Sequence, residues 1–145
     1  MRKLLLLVLC LGLIGCATIK PITYEERQHV YVANFDTVWS KTVEMLIEEN
    51  FPIKSMDKEN GIIQTEYNKN EIKETWLNKA RCSLNILISV INTNNTRVII
   101  NPYYEVYFPS PIGSSQPGEW ATKNDKDKIF IDKYFKVLDE KLNSK

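Results

Sequence analysis

The sequence predicts an α+β two-layer sandwich: an antiparallel sheet with two helices on one face, in the order β-α-β-β-β-β-α. Three observations carry that prediction. Ala80, Cys82, Leu84, Ile86, Ile88 and Val90 alternate with Arg81, Ser83, Asn85, Leu87, Ser89 and Ile91. A period of two over that length marks a long strand with one buried face. Two other segments, near 36–49 and 126–142, carry apolar residues at helical spacing. The strands between them are joined by short polar turns, which oblige neighbours to pair antiparallel. Two amphipathic helices need one apolar surface, and the buried face of such a sheet supplies it.

Taken in order, His29 to Ala33 is a first strand, with Val30 and Val32 on one face. Asp36 offers an N-cap for a helix running to Glu49. Trp39, Val43, Leu46 and Ile47 form its apolar stripe, while Lys41, Glu44 and Glu48 face water. Asn50 is its stop, and Phe51-Pro52 cannot easily continue it. Phe51 to Met56 and Ile62 to Tyr67 are two strands of a hairpin, because Asn60-Gly61 supplies positive φ at little cost. After the long strand, Asn92 to Thr96 is a polar turn. Val98, Ile100, Tyr104, Val106 and Phe108 then resume the alternation, and Pro102 within it signals an edge position or a bulge. Pro109 to Asp125 reads as an irregular loop. The final helix, Lys126 to Leu142, turns Ile131, Tyr134, Phe135, Leu138 and Leu142 inward and Lys133, Lys136, Asp139 and Lys141 outward.

The 145 residues hold 19 Lys and Arg against 18 Asp and Glu. That balance lacks the basic excess of a nucleic-acid binder, so no nucleic-acid partner is expected. Cys10 lies in the apolar leader, Cys16 closes it, and Cys82 is left alone in the globular part, which therefore holds no internal disulfide. Cys82 falls in phase with buried neighbours and reads as core rather than as a reactive thiol.

Enzyme signatures are missing. A single histidine, His29, cannot build a Cys/His zinc site, so no metal centre is expected. No Gly-x-Ser-x-Gly elbow occurs. Gly113-Ser-Ser-Gln-Pro-Gly118 lacks the lysine and helix start of a phosphate loop. The carboxylates fall on helix faces and turns, where solvation explains them. The reading is no enzyme, no catalytic residue and no cofactor.

Three features point to binding. The outer face of the strand from Arg97 to Phe108 carries Ile99, Tyr103 and Tyr107, more apolar than a solvated face, unless the 109–125 loop or the 68–79 segment covers it. The 68–79 segment carries Ile72, Trp76 and Leu77; Ile72 and Trp76 are spaced for a short helix, and Trp76 either caps the core or meets a partner. Trp120 sits in the 109–125 loop, where it either pins that loop or anchors a partner. Trp120, Tyr103, Tyr107 and Trp76 are the candidate partner-binding residues.

The N-terminus supplies an address. Arg2 and Lys3 precede an apolar run from Leu4 to Leu11, and Leu13-Ile14-Gly15-Cys16 ends the leader at a cysteine instead of an Ala-x-Ala site. As a helix, Leu4 to Ile14 would be about 16 Å long, roughly half a bilayer core, enough to engage an export channel and too short to span. The tetrapeptide resembles the lipobox of bacterial lipoproteins. That resemblance implies that the Cys16 thiol receives a diacylglyceryl group, that the chain is cut just before it, and that the new amine can be acylated. Residues 1–15 are then a signal peptide, 16–27 the lipidated cysteine and tether, and 28–145 a single α+β domain. Losing residues 1–15 removes two cations and no acid, which leaves 17 against 18. Two or three acyl chains, at about 0.8 kcal/mol per buried methylene, would hold the domain at the membrane without a polybasic patch. Ala17 rather than Asp after the cysteine resembles the outer-membrane sorting pattern of enteric lipoproteins.

Phe35-Asp-Thr-Val-Trp39 through Gly61-Ile-Ile-Gln-Thr65, followed by a long hairpin and a terminal helix, resembles small bacterial lipoproteins with a helix-grip domain, of the BamC type found in the outer-membrane β-barrel assembly machine. The resemblance implies a non-catalytic accessory role beside an outer-membrane complex. This chain has room for one such domain, whereas that lipoprotein carries two and an extended arm. The expectation is a lipid-anchored interaction or accessory module of the bacterial cell envelope, at the outer membrane facing the periplasm, with an envelope protein as partner. The alternative is a small-ligand or lipid carrier, with a cavity between the C-terminal helix and the sheet.

Overall fold

The computed structural model describes residues 22–68, 72–73, 79–113, 115–123 and 127–144. The signal segment, Cys16 and Trp76 lie outside the described residues. The fold is α+β. Among the described residues, seven antiparallel strands form one sheet: β1 Gln28–Tyr31, β2 Ile53–Asp57, β3 Ile62–Thr65, β4 Ile72–Lys73, β5 Lys79–Asn92, β6 Asn95–Phe108 and β7 Glu119–Thr122. Helices α1, Phe35–Glu48, and α2, Asp127–Asn143, pack on one face of it. The expected order stands, with two short strands added.

Those additions correct the sequence reading. Residues 72–73 are strand where a short helix was expected, and Trp120 lies on β7 rather than in a loop. The long hairpin explains both. Each of its arms is 14 residues, and its flanking strands are far shorter. β3 pairs β5 only over Leu87 to Asn85, and β1 pairs β6 only over Thr96 to Ile99. The far ends of both arms would be left with unpaired backbone groups. β4 takes up Ala80 and Lys79, and β7 takes up Glu105 to Phe108.

Pro102 sits opposite Leu84 in unbroken register, so it marks no bulge. The Leu84 N–H turns away from β6, donating to Thr65 Oγ1 at 2.8 Å. The pair is therefore non-hydrogen-bonded, and the Pro102 nitrogen faces the outer side of β6. That side is the gap between the residues bonded to β1 and those bonded to β7. No ladder bond is lost there, which is why proline is tolerated.

The even-numbered residues of both hairpin arms face the helices. Ala80, Cys82, Leu84, Ile86, Ile88, Val98, Ile100, Tyr104 and Val106 are buried in one core cluster. Ile131, Tyr134, Phe135 and Leu138 of α2 close over them as expected. From α1 the buried set is Val38, Trp39, Thr42, Met45 and Leu46. Ile47 is exposed instead, one step beyond the stripe. Val90 is also exposed, because it lies at the hairpin tip beyond the reach of the helices. Val30 on β1 and Val32 just past its end are exposed, while the buried residue of β1 is Tyr31. Phe108 is exposed at the end of β6. The α1 N-cap is Asn34, not Asp36. Its extended backbone lets Oδ1 accept the Thr37 N–H at 2.9 Å. Asp36 falls in the first turn, where its charge suits the helix dipole. Asn50 ends α1 in the left-handed region at φ 59°. The Phe51 N–H reaches Leu46 O at 2.8 Å and the Asn50 N–H reaches Ile47 O at 3.1 Å, the two bonds of a Schellman motif.

Candidate functional site

The helices cover one face of the sheet. On the other, the register arranges outward side chains in rows that cross the strands. Near the hairpin turn, Ile62, Leu87, Ile99 and Gln28 form one row. The next holds Ser55, Gln64, Asn85 and Asn101. Ser83 and Tyr103 follow, then Arg81, Glu105 and Thr122, and last Tyr107 with Trp120. Aliphatic, amide and aromatic zones thus succeed one another along the open face.

The aromatic zone is organised by Arg81. Its guanidinium lies between the Tyr67 and Trp120 rings, 4.0 Å from each centroid. Nε and Nη2 both donate to Glu105 Oε2, at 2.7 and 2.6 Å. Stacking on two rings while bonding a carboxylate is a task for a planar guanidinium, which a lysine cannot perform. Glu105 is 9% exposed, so its charge depends on this partner. Tyr67 also hydrogen-bonds the Glu105 side chain; burial first, and then Glu105, push its phenol up to about 12, against the opposing pull of Arg81. The Tyr107 and Trp120 rings meet at 5.3 Å between centroids. A Cβ on Gly118 would press on the Tyr107 ring and come within 2.7 Å of the Phe108 carbonyl oxygen, a backbone atom that cannot give way, so glycine is favoured there. Thr122 Oγ1 donates to the Tyr103 hydroxyl at 3.0 Å, and Tyr103 stays 43% exposed.

Three of the expected partner-binding residues, Tyr103, Tyr107 and Trp120, therefore share one end of the open face. Ile99 does not join them: it is buried in the aliphatic row. Sequence reasoning missed Arg81, Glu105 and Tyr67. Arg81 and Glu105 were visible only as outward polar residues, since pairing them needs the register. His29 is half-exposed on the seam between β1 and α2, with Nε2 3.9 Å from Asp139 Oδ1. Cys82 is buried in the core, its Sγ 3.6 Å from Ser83 O. Among the described residues, no group of three or more His, Cys, Asp or Glu side chains is placed to hold a metal ion. No described helix is long and apolar enough to cross a membrane. The chain matches no known protein-family model and no curated protein.

Proposed function

We propose that this chain is a non-catalytic, lipid-anchored lipoprotein of the bacterial cell envelope that docks an envelope protein on its open sheet face. One observation carries the docking reading. Tyr103 and Tyr107, expected together on the outer face of one strand, and Trp120, expected in a separate loop, meet on the face that neither helix covers. Tyrosine, tryptophan and arginine dominate binding hot spots because they bury large rigid surfaces and keep a polar handle. Here Trp120 is held flat by Arg81, so less side-chain entropy is lost on binding. The anchor rests on the lipobox-like Leu13-Ile14-Gly15-Cys16. Between helices and sheet, Met45, Leu46, Ile131 and Leu138 are fully buried in one cluster, which favours docking over carrying a ligand inside.

Photo-crosslinking in intact cells tests the reading. A crosslinking residue placed at Tyr103 or at Tyr107 is expected to yield the same single adduct with an envelope protein. One placed at Lys136, on the solvent side of α2, is expected to yield none. Equal labelling from all three positions, or no adduct at the tyrosines, rejects the docking face.

A further inference from the structure

Beside the aromatic zone lies a groove of about 310 Å³ that shares Tyr103, but neither Tyr107 nor Trp120, with the docking residues. Its lining includes Lys54, Gln64, Glu66, Ser83 and Asn85, with Tyr67 and Tyr103 forming a wall. We propose that this groove binds a short uncharged glycan of one or two pyranose rings. Its lining contains no aliphatic side chain, so it offers no pocket for an acyl chain or the apolar anchor of a peptide. Lys54 and Glu66 contribute one cation and one anion, a balance that suits neither a phosphate nor a polycation. The remaining groups are what a sugar needs. Gln64 and Asn85, paired across β3 and β5, present amides that both donate and accept, as each sugar hydroxyl does. The Gln64 carbonyl oxygen accepts from Ser55 Oγ at 3.1 Å, which restrains the amide and leaves its NH₂ as the group to donate to a ligand. The two rings are tilted by 47° with centroids 6.4 Å apart. Both hydroxyls are tied, Tyr67 to Glu105 and Tyr103 to Thr122, so the ring faces are preorganised for the apolar C–H face of a pyranose. The volume is at the small end of ligand sites, about 300 Å³, room for one or two rings.

The test is a titration of the full-length protein in detergent micelles with N,N′-diacetylchitobiose and with cellobiose, followed by amide NMR signals. Saturable shifts are expected at the Gln64 and Asn85 side-chain amides and at the backbone of 64–67 and 83–85 for at least one sugar. Asn85→Ala is expected to weaken binding about tenfold. Asn85 is exposed, so its melting temperature should hold; if it does not, Gln64→Ala carries the same expectation. Tyr107→Ala, outside the groove but inside the docking cluster, is expected to leave sugar affinity within about twofold, which separates this site from the docking one. The proposal is overturned if neither sugar produces a saturable shift. It is also overturned if the amide variants titrate like the parent, or if tetra-alanine moves the same signals more strongly than either sugar.

Discussion

Arg81 is the side chain on which the open face turns, because three groups, Tyr67, Trp120 and Glu105, lean on its guanidinium. Removing it leaves the Glu105 carboxylate buried without its counter-charge, which costs more than the pair contributes. Arg81→Ala is expected to lower unfolding free energy by about 2–4 kcal/mol, measured by urea denaturation. Arg81→Met combined with Glu105→Leu should recover most of that loss, since neither charge is then left alone. The same cluster sets an alkaline limit. Tyr67 holds its proton more tightly when folded, with its phenol raised from 10.0 to about 12. Its contribution is therefore complete below pH 10 and is lost as pH rises toward 12. Glu105→Gln should move the tyrosinate absorbance change assigned by a Tyr67→Phe control part of the way back toward 10. The shift is only partial because burial, the larger cause, remains.

The hairpin shows what sequence patterning carries at the scale of an element, and where it stops. Both arms bury even-numbered residues, so facing positions must sum to an even number. The two-residue turn at Thr93-Asn94 pairs Asn92 with Asn95, which is odd. A straight continuation would set buried Cys82 against outward Glu105. The bulge between Val90 and Asn92 absorbs one residue and restores the parity. The two phases of alternation fixed this parity but not how it is met: an odd-length turn such as Asn92–Thr96 would satisfy it without a bulge, and the structure instead combines a two-residue turn with a bulge. The same pattern left β4 and β7 illegible, because two residues cannot express a period and Glu119–Thr122 sits in a Pro-, Gly- and Ser-rich stretch that reads as loop; both strands pair the ends of longer ones. Helix ends were half legible. Asn50 was readable as a stop because asparagine tolerates the left-handed region. Asn50→Gly is expected to raise stability by up to about 1 kcal/mol and Asn50→Val to lower it by at least as much, both read from thermal melts. At the other end Asp36 and Asn34 compete as caps, and only backbone geometry decides between them. Asn34→Ala should cost about 1 kcal/mol, and Asp36→Ala less.

At the scale of the whole molecule, the two helices and the sheet close on one another around a single core cluster. The core cluster of the described residues draws on positions from Ile22 to Leu142. Lys141, read from sequence as solvent-facing, is instead the clasp between the helices: its side chain is 12% exposed, with Nζ 3.0 Å from Glu44 and 2.6 Å from Glu48 on α1. Lys41, and then Lys141, hold the Glu44 carboxyl below its ordinary value of 4.5. The clasp's contribution is present above that value and fades as pH falls through the lower folded one. Helical periodicity could not reveal this, since it assigns a residue to a flank without showing that another helix waits there. A core whose described members begin at Ile22 allows anchoring and folding to be separated by experiment. Cys16→Ala behind a conventional Ala-x-Ala signal is expected to release the chain into the soluble envelope fraction with an unchanged melting temperature. The parent chain, under the same salt wash, should stay with the membranes and carry the mass of a diacylglyceryl group. Acyl chains supply far more binding free energy than any exposed patch on this near-neutral surface. If the alanine chain is retained as firmly as the parent, attachment resides in the folded domain, and the exposed aliphatic residues at the hairpin tip, Val90 and Ile91, become the place to look for it.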